Sequence, residues 1–200
     1  MFMKLSIIIP VFNEEKTIIK VIDRVRSVNM DNIEKEIVIV DDGSSDKTAS
    51  NIKDYLSDIN SKNKNIKFIV HEKNQGKGAA VRTGINNATG DYIIIQDADL
   101  EYDPNDIKKL TEFVKNKTSE VVYGTRIRRL PNLSKEEKTG RFLLHYFGNR
   151  FLSLITSILY GQWITDMETC YKLFPKKSVQ EITLRSKRFD FEPEITAKLL

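Results

Sequence analysis

Short β-branched runs alternate with stretches of helical period from residue 5 to residue 123, and this alternation leaves few architectures open. Apolar runs at 5–9, 36–40, 66–70, 92–95 and 120–123 read as strands. Between the first two, Ile18, Ile19, Val21, Ile22, Val25 and Val28 recur at helical spacing, with Asn13 as the expected N-cap. Further helices are expected over 47–59, capped by Ser45 or Asp46, over 79–88, and from Asp103-Pro104 to 115, where proline suits a first turn. Strand–helix alternation of this kind predicts an α/β fold, a mostly parallel sheet covered by helices on both faces. The 200 residues suffice for one domain with a sizeable core, and no repeat or linker interrupts them.

Charge and cysteine usage narrow the partners. With 32 Lys+Arg against 28 Asp+Glu the chain is mildly basic, net +4. That suits an anionic ligand or a membrane surface. No basic tail or aromatic-basic motif points to nucleic acid. Cys170 is the one cysteine, so no internal disulfide forms and a reducing compartment is expected. The amino terminus does not read as a signal peptide, because Pro10 breaks the apolar run and Asn13-Glu14-Glu15 follows. Residues 191–200 look like a helix cut in mid-pattern, which predicts a longer protein. After Gly124 the character changes. Arg126, Arg128, Arg129, Arg141 and Arg150 cluster, and residues 151–165 carry no charge. A membrane span needs about 20 apolar residues, and this run is shorter and diluted by Gly161, Gln162 and hydroxyls. The expectation for 142–165 is an amphipathic helix in the membrane interface, with arginines at the headgroups. A helix that simply packs on the sheet is the alternative.

The strand ends carry the chemistry. In a parallel sheet the carboxyl ends of the strands share one edge, and ligands bind there. The first strand ends in Pro10-Val11-Phe12-Asn13-Glu14-Glu15, the second in Asp41-Asp42-Gly43-Ser44, and the third leads through His71 to Gly78. The fourth ends in Asp97-Ala98-Asp99. One residue of spacing puts Asp97 and Asp99 on one rim, where two hard oxygen ligands suit Mg²⁺ or Mn²⁺. Asp42 and Glu14 can accept hydrogen bonds from a base and a ribose. Lys77, the glycine loop around it and the following helix N-terminus can meet a pyrophosphate. Gly76-Lys77-Gly78 is neither a Walker loop nor the dinucleotide fingerprint, since Val81 stands where the third glycine belongs. Singly, each loop reads as a turn; four on one edge read as a site. His71 and His145 lack metal-ligand spacing and read as structural, and Cys170 as a small buried residue.

These segments, with the run Asn74-Gln75-Gly76-Lys77-Gly78-Ala79-Ala80-Val81-Arg82-Thr83-Gly84 and with Gln96 to Glu101, resemble a family 2 inverting glycosyltransferase of GT-A fold. More narrowly, the chain is similar to the dolichyl- or polyprenyl-phosphate sugar synthases. Tyr123-Gly124-Thr125-Arg126 and Thr165-Asp166-Met167-Glu168-Thr169-Cys170-Tyr171-Lys172 extend the likeness over the whole chain. The resemblance implies that Val11, Asn13, Glu14 and Asp42 hold the nucleoside, with Pro10, Asp41, Lys77 and Ala98 in the same nucleotide-sugar site. It implies a metal on Asp97 and Asp99, and acceptor phosphate at Arg126 and Arg141. Glu101 replaces a glutamine common in the mannosyl synthases, and the Asp166 motif departs from the common mannosyl and glucosyl forms.

A hydroxyl acceptor needs a general base, whereas a lipid monophosphate arrives ionised and needs cations for its approach. Arg126 and Arg141 therefore fit an anionic acceptor, with Lys172 as a further neutralising charge. Asp166 and Asp99 are the candidate catalytic residues. Asp166 would orient the acceptor, join the metal shell or act as a base, and Glu168 stays open. The expected function is metal-dependent sugar transfer from a UDP- or GDP-sugar to a polyprenyl or dolichyl phosphate, at the cytoplasmic face of a membrane. Transfer to a glycan hydroxyl, a non-catalytic nucleotide-sugar-binding module and, more remotely, nucleotidyl transfer are the alternatives. Gln162-Trp163 does not supply the Gln-x-x-Arg-Trp of processive polysaccharide synthases.

Overall fold

The computed structural model describes residues 3–59, 65–126, 140–180, 182–188 and 190–200, without the side chains of residues 140–142 and 145. Arg128 and Arg129, and the side chains of Arg141, Phe142 and His145, lie outside the described residues. The first half follows the expected alternation: β1 (Met3–Val11), α1 (Ile18–Ser27), β2 (Ile33–Asp41), α2 (Thr48–Asp58), β3 (Ile66–Val70), α3 (Lys77–Asn87), β4 (Tyr92–Ile95), α4 (Asn105–Lys115) and β5 (Val122–Tyr123). Then come α5 (Gly140–Tyr160), β6 (Lys172–Pro175), α6 (Lys177–Gln180) and α7 (Phe191–Leu199).

The sheet runs β3-β2-β1-β4-β6-β5. β1 lies between β2 and β4 and is parallel to both, with Ile7 opposite Ile37 and Ile94. Residues 5–11 of β1 are all buried. Successive strand residues point to opposite faces, so the sheet is covered on both. α3 lies close over β1, since a Cβ on Gly84 would come within 2.4 Å of Ile8 Cγ2. α1 turns Ile18, Val21, Ile22 and Val25 inward at the spacing read from sequence.

Three local expectations change. Asn13 does not cap α1. It sits at φ 55°, and the helix instead follows a turn in which Glu14 O accepts from the Thr17 and Ile18 amides. The N-cap of α2 is Lys47, and Asp46, one residue before it, accepts from Thr48 N through Oδ1 at 2.9 Å. The fifth strand shrinks to two residues and does not touch β4. An unexpected strand, β6, lies between them, antiparallel to both, with Phe174 opposite Ile93 and Leu173 opposite Val122.

The amino-terminal side of the sheet is closed by a buried carboxylate. Glu36 accepts from Ser6 Oγ, Thr89 N and Thr89 Oγ1 and pairs with Lys67 at 2.8 Å. Burial opposes its charge, but these donors outweigh burial and hold its pKa at about 2.

Candidate active site at the carboxyl edge of the sheet

The chain runs outward from β1 to β3 and then returns to β4 on the other side of β1. That reversal opens a crevice beyond the strand ends, the usual ligand site of an open α/β sheet. A cleft of about 450 Å³ lies there. Pro10, Val11, Phe12 and Glu14 line it from the end of β1, and Asp42 from the end of β2. Lys77 faces it from α3, and Asp97, Ala98 and Asp99 from the turn after β4.

Two expected ligands of the nucleotide are turned elsewhere. Asn13 Oδ1 accepts from Ser45 N at 2.8 Å, and its own amide donates to Ser44 Oγ. Asp41 is fully buried, and its Oδ1 accepts from the Ser44 amide and hydroxyl. Asn13 fastens the loop after β1 to the loop after β2, Asp41 braces the second loop through Ser44, and neither lines the cleft. They position the wall and do not form it.

The glycine loop also differs from expectation. Several of its amides are already used: Gln75 N and Gly76 N donate to Asp42, the latter at 2.7 Å, and Ala79 N donates to Gly76 O and Lys187 O. Those three are therefore not open to a pyrophosphate. The glycines serve a close backbone approach instead. A Cβ at Gly76, which has φ 98°, would fall 2.3 Å from Lys187 O, and one at Gly78 would fall 2.6 Å from Ser186 O. Residues 186–188 thus form a strap over the loop, held also by the Arg82 guanidinium on Ser186 O. The strap brings Arg188 to the cleft wall. Sequence reading missed Arg188, which lies over a hundred positions from the loop it covers. His71 bridges Asp42 (Nδ1, 2.7 Å) and Thr83 (Nε2, 2.9 Å), a supporting role.

Asp97 and Asp99 reach the rim as expected. Asp97 Oδ1 holds the Lys77 ammonium at 2.7 Å, and Asp99 is exposed, with one oxygen on Glu101 N. Among the described residues no group of three or more His, Cys, Asp or Glu side chains gathers for a metal. Two carboxylates on one rim, the first already holding an ammonium, nevertheless fit Mg²⁺ or Mn²⁺, which takes its remaining oxygens from phosphate and water. Burial alone would lower the Lys77 pKa, but the carboxylates of Asp97 and Glu192 raise it above its ordinary value.

A second cavity, about 470 Å³, adjoins the turn after β4 and is lined in part by Glu101, Asp103 and Arg126. Arg126 is bound to Asp166. Its amide and Nε donate to Asp166 Oδ2 at 3.0 and 3.1 Å, and Nη2 donates to Oδ1 at 3.2 Å. Asn149 Nδ2, from α5, adds a fourth bond to Oδ1 at 2.7 Å. Asp166 is 1% exposed. Burial opposes its charge, yet Arg126 and Asn149 hold its carboxyl below the usual carboxylate range. Asn149 was not visible as a functional residue in the sequence, where it is one polar position in an apolar helix. Glu101 faces solvent, 3.9 Å from Arg126, and Glu168 is exposed.

Lys172 requires a correction. It was expected to meet acceptor phosphate but is fully buried on β6. Its ammonium is taken by Glu192 and by Thr169 O, and it lies 5.4 Å from the Tyr123 ring. An alternating sheet places it inward, and Glu192 compensates the charge there.

α5 is built inside out. Asn149, Ser153 and Ser157, four residues apart, are buried, while Leu144, Ile158 and Leu159 stand more than 70% exposed. The inner polar stripe is sewn to the loop before β6: Ser153 Oγ accepts from Met167 N and Ser157 Oγ from Ile164 N. No helix among the described residues is long and apolar enough to cross a membrane.

A mostly parallel α/β sheet with a cleft at its switch point and paired carboxylates on the rim has the architecture of the GT-A fold. Solved structures agree. S. aureus TarS 1-349 in complex with UDP matches 98% of this chain and 55% of that one, at TM-score 0.64 and 20% identity. M. tuberculosis glucosyl-3-phosphoglycerate synthase in complex with Mn²⁺, UDP and phosphoglyceric acid matches 95% of this chain and 61% of that one, at TM-score 0.64 and 19% identity. At such identities the likeness shows the fold. The chain belongs to the glycosyl transferase family 2, whose profile matches residues 6–183, and it is a glycosyltransferase. It is 34% identical over 197 residues to the UDP-N-acetylglucosamine–dolichyl-phosphate N-acetylglucosaminyltransferase of Methanococcus voltae, covering 92% of this chain and 75% of that protein. It is 26% identical over 195 residues to the dodecaprenyl-phosphate galacturonate synthase of Rhizobium johnstonii, covering 96% of this chain and 53% of that protein.

Proposed function

We propose that this domain transfers a sugar from a nucleotide-diphosphate donor to a polyprenyl or dolichyl monophosphate at a membrane surface. The observation that carries the reading is the state of Asp166. Among the described residues its hydrogen bonds all go to Arg126 and Asn149, which hold its carboxyl below the usual carboxylate range. It is a poor proton acceptor for a hydroxyl and a good mount for a guanidinium. An acceptor that arrives ionised needs the second and not the first. The names of the relatives point the same way.

In this reading the nucleoside lies along Pro10–Glu14 beside Asp42, in the cleft these residues line. Asp97 and Asp99 hold Mg²⁺ or Mn²⁺, which when bound supplies charge to the departing diphosphate. Lys77 and Arg188 add fixed positive charge on the same wall. Arg126, seated by Asp166, offers its Nη1 edge to the acceptor phosphate in place of Glu101, 3.9 Å away, and Arg141 is assigned to the same anion. The outer face of α5 lies in the bilayer interface, with Arg150 at the headgroups, and brings a membrane-held substrate to the site.

The test is to supply UDP- and GDP-sugars with polyprenyl phosphate or with the free polyprenol, and to weigh the lipid products. Product from the phosphate alone, lost in Arg126→Ala, is expected. Equal use of the neutral alcohol overturns the reading in favour of a hydroxyl acceptor.

A further inference from the structure

Four charged groups meet at the floor of the donor cleft. Lys77 Nζ lies 2.7 Å from Asp97 Oδ1 and 3.5 Å from Glu192 Oε1. Glu192, in the first turn of α7, is 6% exposed, and its Oε2 holds the buried Lys172. Its other oxygen, Oε1, is buried with no hydrogen-bond partner. Two cations and two anions balance, but the pairing is uneven. Lys77 makes its close contact with the carboxylate nearer solvent and leaves the deeply buried one short. A buried carboxylate oxygen without a donor is costly.

A divalent ion on Asp97 and Asp99 competes with the ammonium for Asp97, because like charges at that range repel. Glu192 Oε1, already 3.5 Å from Lys77 Nζ, lies within the reach of a small side-chain rotation. We propose that Lys77 exchanges partners: it neutralises Asp97 in the free protein and closes onto Glu192 Oε1 when a divalent cation takes Asp97. Glu192 is thus a positioning residue for the donor site. Lys172, on the other oxygen, fixes this seat in place. The exchange holds Lys77 at the cleft wall with donors left for phosphate oxygens, where otherwise it would swing into solvent. It rests on the metal site assigned above and is independent of the acceptor.

The experiment titrates Mn²⁺ alone into the full chain, without nucleotide or acceptor, by electron spin resonance of the free ion. Lys77→Met is expected to bind Mn²⁺ roughly tenfold more tightly, since no ammonium has to be displaced at this short range. Glu192→Gln is expected to bind it roughly tenfold more weakly, since the displaced lysine then lacks a charged seat. The double variant should match Lys77→Met, because without Lys77 the seat has no occupant. If Glu192→Gln lowers the melting temperature, adding Lys172→Met removes the second buried charge, and the same weakening is expected in the restored protein. Unchanged affinity in Lys77→Met overturns the exchange. So does a Glu192→Gln loss that is the same with and without Lys77, because that is bulk charge and not a seat. Asp97→Ala is the control: Mn²⁺ binding indifferent to it removes the metal site itself, and the exchange with it.

Discussion

Asp166 separates two chemistries at the scale of a single carboxylate. With burial opposed by four donors it stays ionised well into acid, so it contributes no titration near neutrality. The rate with polyprenyl phosphate should therefore follow the acceptor's own second ionisation, rising through about pH 6 and levelling above it. A steady-state pH profile checks this; a limb that vanishes in Asp166→Asn would return the proton-acceptor role to Asp166. Arg126→Lys should raise the lipid-phosphate KM roughly tenfold, because a point charge replaces a planar fork, and donor binding should be unaffected. At the opposite end of the sheet, Glu36 makes a prediction about stability. Its folded pKa of about 2 lies below its ordinary value, so its stabilisation is complete above about pH 5 and is lost as pH falls through 2. Urea melts from pH 7 to pH 2 should show a loss of about 2–3 kcal/mol that Glu36→Gln lacks. The motif around Asp166 was readable because its residues are contiguous. Lys172 was misread because lysines are rarely buried, and nothing nearby in sequence announces Glu192, twenty residues on.

Among the elements, α5 departs furthest from the ordinary rule. A surface helix usually buries apolar residues, whereas this one buries Asn149, Ser153 and Ser157 and presents leucines and isoleucines outward. Its inner face cannot be held by hydrophobic burial, so hydrogen bonds to the 164–167 loop hold it. Replacing Ile158 and Leu159 together by Glu should remove binding to anionic vesicles in a flotation assay, since each such side chain contributes about 1.5–3 kcal/mol on burial. The melting temperature should hold, because both are already exposed. Asn149→Leu should act in reverse. Vesicle binding persists, while stability drops by about 1–3 kcal/mol and transfer falls through Asp166 and Arg126. The charge-free stretch was legible in the sequence, but the direction of its faces was not, since serines in a helix signal neither side. β6 escaped for a related reason. Lys-Leu-Phe-Pro is too short for periodicity and ends in a strand breaker.

For the molecule as a whole, the alternation of strands and helices and the edge that carries the site were legible, because local hydrophobic period encodes both. What connects distant segments was not. The strap of residues 186–188 explains the glycines at 76 and 78, yet glycine suits a close phosphate and a close backbone equally well. The order β4-β6-β5 has a further consequence, which concerns time. β5 finds its hydrogen-bonding partner only about fifty residues later in the chain, where Leu173 meets Val122. On a ribosome adding about 5–20 residues per second, residues 122–126 wait roughly 2–10 s after synthesis before the strand that fixes them emerges. Arg126 comes three residues after that strand, so this arginine is among the last parts of the first 126 residues to take its place. Nascent chains arrested with residue 150 just clear of the exit tunnel should be cut by protease near Tyr123, and chains arrested with residue 180 clear should resist. Nucleotide retention by both would show the cleft walls from β1, β2 and β4 at work before the strap of residues 186–188 closes over the glycine loop.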